Sequence, residues 1–475
     1  MPDGHQTPPV TETARDRLES VCRETDEALQ ELVRLARRQA DLREDIRLTR
    51  IHVDDIRHSR TWRVLERYRR ARLRAGLSGV GLTALQAALR RRRVHRAVPA
   101  AVREQPPGVN IAGYLDAESG MGEAARASIR SLTAAGLPVA LNNVPSLLRT
   151  GDDSYRAAFT ADNPYPFNLV HLNGDNMPGF AAARGRRYFR NRYTIGFWFW
   201  ELSALRPDWA PFAGYVDEVW TATRFVRDAV RGGCTVPVVR VPLPVVLPQL
   251  PPLGRAAFGI PEGPLVFLYI FDVSSQTERK NPLAAIRAFR RAAQPHGDAV
   301  LVLKFTNPEY DRAGVRRLYE EAAGLNVVFL DRYLDRPDLC ALINTADCYL
   351  SPHRAEGFGL TLLEAMRLGK PVIGTAYSGN MDFMTPDNSY LLDYSLVTLT
   401  RDYGPYFRGA AWAEPDVDHA ARLIRDVALN PAVAAARGAR ACADVERDWT
   451  PAVTGKAVRD RLDAIRSGRR LELTS

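Results

Sequence analysis

The segment from Ser351 to Asn380 constrains the fold of this 475-residue chain more than any other stretch. It holds a Gly-Phe-Gly turn at 357–359, which leads directly into the helix-forming run Leu360–Met366. The first amides of a helix have no intrahelical partner and carry partial positive charge, and glycine lets a ligand approach the backbone closely. A turn of this kind predicts a phosphate site at the start of the helix.

Two glutamates flank this predicted phosphate site. Glu356 directly precedes the turn, and Glu364 lies roughly two turns into the helix, on a face that can reach back toward a hydroxyl group. Two carboxylates beside a bound anion would repel it, so their predicted role is to accept hydrogen bonds from sugar or ribose hydroxyls. The combination predicts a pocket for a nucleotide sugar.

The string from Ala355 to Thr375 resembles the glutamate-pair motif of retaining glycosyltransferases, in particular family 4, which have the GT-B fold. The likeness continues through Ser378-Gly379-Asn380, and a buried amphipathic helix after a chance turn is the alternative. The resemblance covers residues 109–467 and implies that Glu356 orients the donor sugar. It also implies a donor-binding role for a set of residues at the turn and in the helix: Gly357, Phe358, Gly359, Leu360, Thr361 and Glu364.

A second motif follows the apolar run at 265–273. Arg279 and Lys280 are adjacent cations before a helix, and they can neutralise a diphosphate leaving group. Lys280 resembles the lysine of the family's diphosphate loop. The arginine usual five or six residues earlier is replaced by Ser275 and Ser274, so we expect Arg279 to supply that charge. An ordinary solvated helix start remains the other interpretation.

The first half of the chain carries weaker signals. Gly120 and Gly122 follow a predicted strand at Ile111–Leu115 and resemble the family's N-terminal glycine loop. His171 ends another predicted strand, at the point where the family commonly has a histidine that contacts the sugar. The resemblance implies a catalytic role for His171, with a packing role as the alternative.

Aromatic and polar residues follow two strands of the same half, where they could bind an acceptor, since aromatic faces suit sugar rings and carboxylates suit hydroxyls. Core packing is the equal alternative for either tryptophan. The candidate acceptor residues are Asn173, Asp175, Trp198, Trp200 and Glu201.

Metal and cofactor signals are absent from the sequence. No DxD motif or His/Cys cluster sits at the end of a predicted strand with obvious metal-ligand spacing, so we expect a metal-independent reaction without a cofactor. The five cysteines are scattered, which indicates reduced thiols in a cytoplasmic protein.

The alternation of apolar strands and helices from Val109 onward predicts an α/β fold with two Rossmann-like, doubly wound domains facing a cleft. The predicted organisation is a disordered start at 1–13, a helical part at 14–105, domains at 106–245 and 253–448, and a helix at 449–475 that crosses back to the first domain. The predicted strands include Asn168–Leu172, Tyr193–Phe199, Glu218–Thr221, Ala299–Thr306, Asn326–Leu330 and Cys348–Ser351.

The N-terminal part carries two further patterns. A heptad repeat from Leu18 to Ile56 is apolar at nine of twelve a and d positions, which favours a coiled coil and a homodimer over a helix folded back on the protein. Residues 57–96 contain thirteen arginines and one acid, Glu66, so their net charge is +12. The whole chain carries +10, so the remaining residues carry about −2. With Trp62 on their apolar side, residues 57–96 favour an anionic membrane surface over a linker or docking helix, and both over nucleic acid.

The expected function is hexose transfer from a nucleotide diphosphate sugar to a hydroxyl of a glycan or lipid-linked acceptor. The expected place is the cytoplasm, peripheral to the inner face of the membrane. The alternatives are an inactive, glycosyltransferase-like scaffold assembled through the coiled coil, or a nucleotide-sugar epimerase of the same fold.

Overall fold

The structure of the protein is a computed structural model, and it describes residues 98–146, 149–292 and 299–468. The predicted disordered start, the coiled coil and the basic segment 57–96 lie outside the described residues. Among the described helices, none has the length and apolar character needed to cross a membrane.

The first domain is built on a sheet of six parallel strands in the order β2-β1-β3-β4-β5-β6. Every residue of the strands β1, β3, β4 and β5 is buried, as expected when helices cover both faces of a parallel sheet. The strands are β1 Val109–Gly113, β2 Val139–Asn143, β3 Phe167–His171, β4 Tyr193–Phe197, β5 Glu218–Thr221 and β6 Val238–Arg240. The α-helices of this part are α1 Ala100–Glu104, α2 Gly120–Ala134, α3 Met177–Phe189 and α4 Arg224–Arg231.

The second domain repeats this plan with a parallel sheet in the order β12-β11-β10-β7-β8-β9. Its strands are β7 Leu265–Asp272, β8 Ala299–Thr306, β9 Val327–Asp331, β10 Cys348–Ser351, β11 Val372–Thr375 and β12 Tyr390–Leu392. Its α-helices are α5 Thr277–Lys280, α6 Pro282–Ala292, α7 Arg312–Glu321, α8 Arg336–Thr345, α9 Leu360–Arg367, α10 Val417–Leu429 and α11 Pro431–Asp448. The predicted pair of Rossmann-like domains is therefore confirmed, and β5, β8 and β10 begin and end where the sequence predicts.

Two additions join the domains. An antiparallel hairpin of β13 Tyr394–Thr398 and β14 Ala411–Pro415 lies between β12 and α10. The final helix, α12 Pro451–Ser467, packs on α2 of the first domain, where the hydroxyls of Ser131 and Thr454 lie 2.7 Å apart. The hairpin region packs on Trp200 of the first domain, and α12 packs on α2, so both additions contact the first domain.

Buried apolar residues form two clusters, and the smaller one matters for the site. It combines Trp198, Trp200 and Trp209 of the first domain with Tyr406 and Trp412 of the hairpin region. The Trp200 and Tyr406 rings lie 5.8 Å apart between centroids. Apolar packing of this kind fixes the hairpin against the first domain on one side of the cleft.

Candidate active site between the two domains

A pocket of about 670 Å³ lies between the carboxyl ends of the two sheets. This is where doubly wound folds bind their ligands. Its walls include the glycine loop at the start of α2, the ends of β7 and β8, the start of α8, and the turn before α9. The pocket therefore gathers residues that are up to roughly 250 positions apart in the sequence.

Glu356 and Lys280 meet at the base of this pocket. Lys280 Nζ donates to Glu356 Oε1 at 2.5 Å, and both side chains are largely buried. Burial alone would raise the pKa of Glu356, but Lys280, Arg279 and His353 outweigh it and lower the pKa to about 2. Glu356 is consequently ionised at neutral pH, and its charge compensates that of Lys280.

Arg279 takes a different position from the one the sequence predicts. Its guanidinium donates to the carbonyl oxygens of Ala355 at 2.7 Å and Ser275 at 3.1 Å, and lies 3.3 Å from Glu356 Oε2. The residue is 4% exposed and does not line the pocket. The donors of Arg279 hold the loop behind Glu356, so its contribution to binding a diphosphate stays a prediction that this placement does not favour.

The turn before α9 has the geometry of a phosphate site. Gly359 caps the helix with φ of 90°, a conformation that favours glycine. A Cβ on Gly357 would lie 3.1 Å from the carbonyl oxygen of Trp200, so the turn also touches the first domain closely. The hydroxyl of Tyr349 donates to Thr361 Oγ1 at 2.7 Å and fixes the first turn. All five predicted donor-binding residues from Gly357 to Thr361 line the pocket.

Glu364 also lines the pocket, but it already has a partner. Arg336 Nη1 of α8 donates to Glu364 Oε1 at 2.6 Å, and Arg336 Nη2 lies 3.3 Å from Glu123 Oε1 of α2. One arginine thus bridges a carboxylate of each domain across the cleft. Burial raises the pKa of Glu364, and Arg336 opposes that rise. A ribose hydroxyl would have to share Glu364 with this arginine.

The glycine loop of the first domain forms the opposite wall. Ser119 caps α2 by accepting from the Gly122 amide at 3.2 Å, and Gly120 lines the pocket. Gly122 itself is turned away, and a Cβ there would lie 2.2 Å from the Ala117 carbonyl oxygen. Gly122 therefore allows the close approach of α2 to the loop that follows β1, and Gly120 is the glycine that lines the pocket.

His171 lies behind the pocket. It is fully buried, its Nε2 lies 2.9 Å from Ser128 Oγ, and its ring stacks on Phe197 at 4.5 Å. Burial lowers its pKa to about 3, so the ring is neutral. His171 is not among the residues that line the pocket, and its contact with Ser128 of α2 is what the alternative packing role predicts; its catalytic role stays a prediction.

Of the candidate acceptor residues, some are buried in packing contacts and one lines the pocket. Trp198 and Trp200 are 0% and 1% exposed in the smaller apolar cluster, so neither offers a ring face to a sugar. Asn173 accepts from the Phe199 amide at 2.9 Å and does not line the pocket.

The two acidic candidates differ from each other. Asp175 is exposed outside the pocket, whereas Glu201 lines it and accepts from the Tyr406 hydroxyl at 3.0 Å. Glu201 is the one acceptor prediction that the pocket geometry accommodates.

Several charged residues of the pocket were missed by the sequence analysis, among them Glu123, Lys304 and Arg336. Lys304 was detectable, because it is a single cation within the apolar strand β8. Burial lowers the pKa of Lys304 to about 8, although Asp272 and Asp331 oppose the shift. Arg336 gives no such signal, since it stands at an ordinary helix start. In the part of the chain that the structure describes, no three His, Cys, Asp or Glu side chains are grouped as a metal would require.

The second domain matches a known family. Residues 254–441 match the sequence model of the family "Glycosyl transferases group 1". A GDP-mannose-dependent monoacylated alpha-(1-6)-phosphatidylinositol monomannoside mannosyltransferase of Corynebacterium glutamicum is 26% identical over 193 residues, 39% of this chain and 44% of that protein. The chain thus spans less than half the length of the curated relatives it matches.

Solved structures resemble the whole two-domain unit. Sucrose-phosphate synthase of Thermosynechococcus elongatus aligns with a TM-score of 0.57 at 16% identity, covering 76% of this chain and 100% of that one. Anabaena HepE, solved with UDP and glucose, aligns with a TM-score of 0.53 at 13% identity over 76% of this chain and 100% of its own. At these identities the likeness establishes the fold, and the chain has the GT-B architecture.

Proposed function

We propose that this protein is a retaining glycosyltransferase of the family 4 type, which transfers a hexose from a nucleotide diphosphate sugar to a hydroxyl of a glycan or lipid-linked acceptor. The observation that carries the proposal is the Lys280–Glu356 pair beside the glycine-capped start of α9. A cation, free helix amides and a carboxylate converge there at an interdomain pocket. The match of residues 254–441 to group 1 glycosyltransferases supports it.

The residues would divide the chemistry as follows. Lys280 and the first amides of α9 take up the negative charge that develops on the departing diphosphate. Glu356 keeps Lys280 in place and accepts a hydrogen bond from the sugar. Glu364 accepts from the ribose. The departing phosphate oxygen accepts the proton of the attacking hydroxyl on the same face of the sugar, which retains the anomeric configuration.

Nucleoside diphosphate release from a panel of UDP- and GDP-sugars tests this function. We expect release from at least one donor, and an α-anomeric product by NMR from an α-linked donor. An inactive scaffold would release nothing. An epimerase would change the donor sugar without releasing the nucleotide, so the two alternatives give different results. A β-anomeric product would refute retention alone.

We further propose that the reaction needs no metal ion or cofactor, because Lys280 and the α9 amides can stabilise the leaving group. Activity should survive excess EDTA. Loss of activity with EDTA and recovery with magnesium or manganese would show that a cation shares this role.

We also propose, from the composition of residues 57–96, a location at the inner face of the cell membrane, with the predicted coiled coil joining two copies. Each arginine near an anionic surface contributes on the order of 1 kcal/mol, so part of the +12 charge suffices. Two linked copies would bind more tightly than one. In flotation with anionic liposomes, the full chain should float and detach at high salt, whereas a chain starting near Val109 should stay in solution. Equal behaviour of the two would favour docking or nucleic-acid binding.

A further inference from the structure

The charges that line the pocket are unevenly compensated. Four cationic side chains line it: Arg126, Lys280, Lys304 and Arg336. Three of them have a carboxylate within ion-pair distance, at Glu123 and Asp152 for Arg126, at Glu356 for Lys280, and at Glu123 and Glu364 for Arg336. Lys304 makes no ion pair or side-chain hydrogen bond with any residue of the described ranges.

Lys304 stands at an unusual place for a charge. It lies near the carboxyl end of β8, is 4% exposed, and has fully buried neighbours in Leu303 and Phe305. In the parallel register it stands beside Ile270 of β7, and both residues line the pocket. Side chains alternate along a strand, so Thr306 shares this face and lines the pocket too.

The nearest acidic groups have other partners or stand on neighbouring strands. Asp272 Oδ1 of β7 accepts from the Ser274 amide at 2.9 Å and from Asn307 Nδ2 at 2.8 Å. Asp331 belongs to β9, and both carboxylates favour the charged form of Lys304 from beyond ion-pair distance. A buried ammonium group without a close counter-ion is costly, and a bound anion would remove that cost.

A diphosphate is such an anion, and the pocket otherwise offers it little uncompensated charge. Glu356 is paired with Lys280, and Arg279 is bonded to the loop behind it. We propose that Lys304 binds the diphosphate of the donor and adds a second positive charge to that of Lys280, which Glu356 partly compensates. This inference rests on the proposed function, and Lys304 would act beside Lys280 from the neighbouring strand.

The competing explanation is that Lys304 only stabilises the sheet through Asp272 and Asp331. The two roles differ in what a substitution changes. A diphosphate contact affects ligands that carry phosphates and spares the nucleoside. A purely structural lysine affects the free energy of unfolding and changes both ligand types alike, or neither.

The test measures the affinities of UDP, GDP, uridine and guanosine for the full chain by titration. The variants are Lys304→Met, which keeps the length and removes the charge, and Lys304→Arg, which keeps the charge. Lys370→Met is the matched control, because Lys370 is a partly buried lysine of the same domain outside the pocket lining. We expect Lys304→Met to lose about 10- to 100-fold in diphosphate affinity, as for one charge-assisted hydrogen bond. Nucleoside affinity should not change, and the Lys304→Arg and Lys370→Met variants should bind like the wild type.

The results that would overturn the role of Lys304 differ from those that would overturn the proposed function. Unchanged UDP and GDP affinity in folded Lys304→Met, or an equal loss for nucleosides, overturns the role of Lys304 and leaves the proposed function standing. Absence of UDP and GDP binding in the wild type overturns both. If Lys304→Met does not fold, Lys304→Gln makes the same comparison. Failure of both to fold while Lys304→Arg folds would assign the charge to stability and refute the proposal.

Discussion

The carboxyl ends of the two sheets carry polar and aromatic side chains at similar places and use them differently. In the first domain, His171 at the end of β3 and Trp198 and Trp200 after β4 are buried in packing contacts. In the second domain, Lys280 after β7 and Glu356 after β10 open into the pocket. The same architecture therefore produces a packed wall on one side and a charged wall on the other.

The difference arises from what covers each strand end. Helix α2 covers His171 through Ser128, and the hairpin of β13 and β14 places Tyr406 over Trp200. The turn at 357–359 instead holds the chain close to Trp200 while the α9 amides stay open to the pocket. In these two sheets, a residue at a strand end lines the pocket where no later segment packs over it.

The largest effect is expected when the positive charge of Lys280 is removed from the pocket wall of the second domain. Lys280→Ala should lower kcat by about 100- to 1,000-fold, because a group that stabilises charge in the transition state is lost. Steady-state kinetics with the active donor would measure this, and circular dichroism would check that the variant is folded. Near-normal turnover in a folded variant would show that the leaving-group charge is stabilised elsewhere.

A smaller effect is expected at Glu364, which Arg336 links to Glu123 of the first domain. Glu364→Ala should weaken donor binding by about 1–3 kcal/mol, as charge-assisted hydrogen bonds to the ribose are lost. The measurement is the dissociation constant for UDP or GDP. An unaltered constant would mean that Glu364 serves only to hold Arg336 across the cleft.

The free energy of unfolding should depend on pH through the buried carboxylate of Glu356. The folded pKa of Glu356 is about 2 against an ordinary value of 4.5, so its ionised form stabilises the fold above pH 4.5. This contribution should disappear as the pH falls from 4.5 toward 2, because the carboxylate becomes protonated.

The variant Glu356→Gln should therefore be less stable than wild type near neutral pH, with a difference that shrinks in acid. Urea titrations at several pH values would follow it, with the exposed Glu309→Gln as the control. A difference that stays constant with pH would refute the ion-pair account.

The least kinetic effect is expected in the packed wall of the first domain. His171→Gln should leave kcat close to wild type and lower the free energy of unfolding by about 1–3 kcal/mol, since a buried contact is disturbed. Kinetics and urea unfolding on the same sample would separate the two. A loss of kcat comparable to that of Lys280→Ala would restore the histidine to the active site.

How far the sequence predicts this molecule depends on how local the determining contacts are. The strands β5, β8 and β10 were predicted to the residue because their apolar runs are bounded by turn-forming residues. The Gly357–Thr361 pocket wall was predicted because a single continuous segment encodes it. The burial of Trp200 was not predictable, since it depends on Tyr406, which is more than 200 positions away. The sequence matched Lys280 to the family's lysine but gave no sign that Arg279 would turn away, and only the fold shows that Lys280 alone of the two lines the pocket.

The return of α12 to the first domain has a consequence for how the protein is made. Glu218 of β5 is fully buried, and its Oε1 accepts from Arg461 of α12 at 2.8 Å. Gly455 of α12 approaches so closely that a Cβ there would lie 2.5 Å from the Ser131 carbonyl oxygen. Residues 451–467 leave the ribosome after the whole second domain. The domain that is synthesised first is therefore completed last, and until then it carries a carboxylate without its arginine partner and an uncovered helix face that chaperones could recognise.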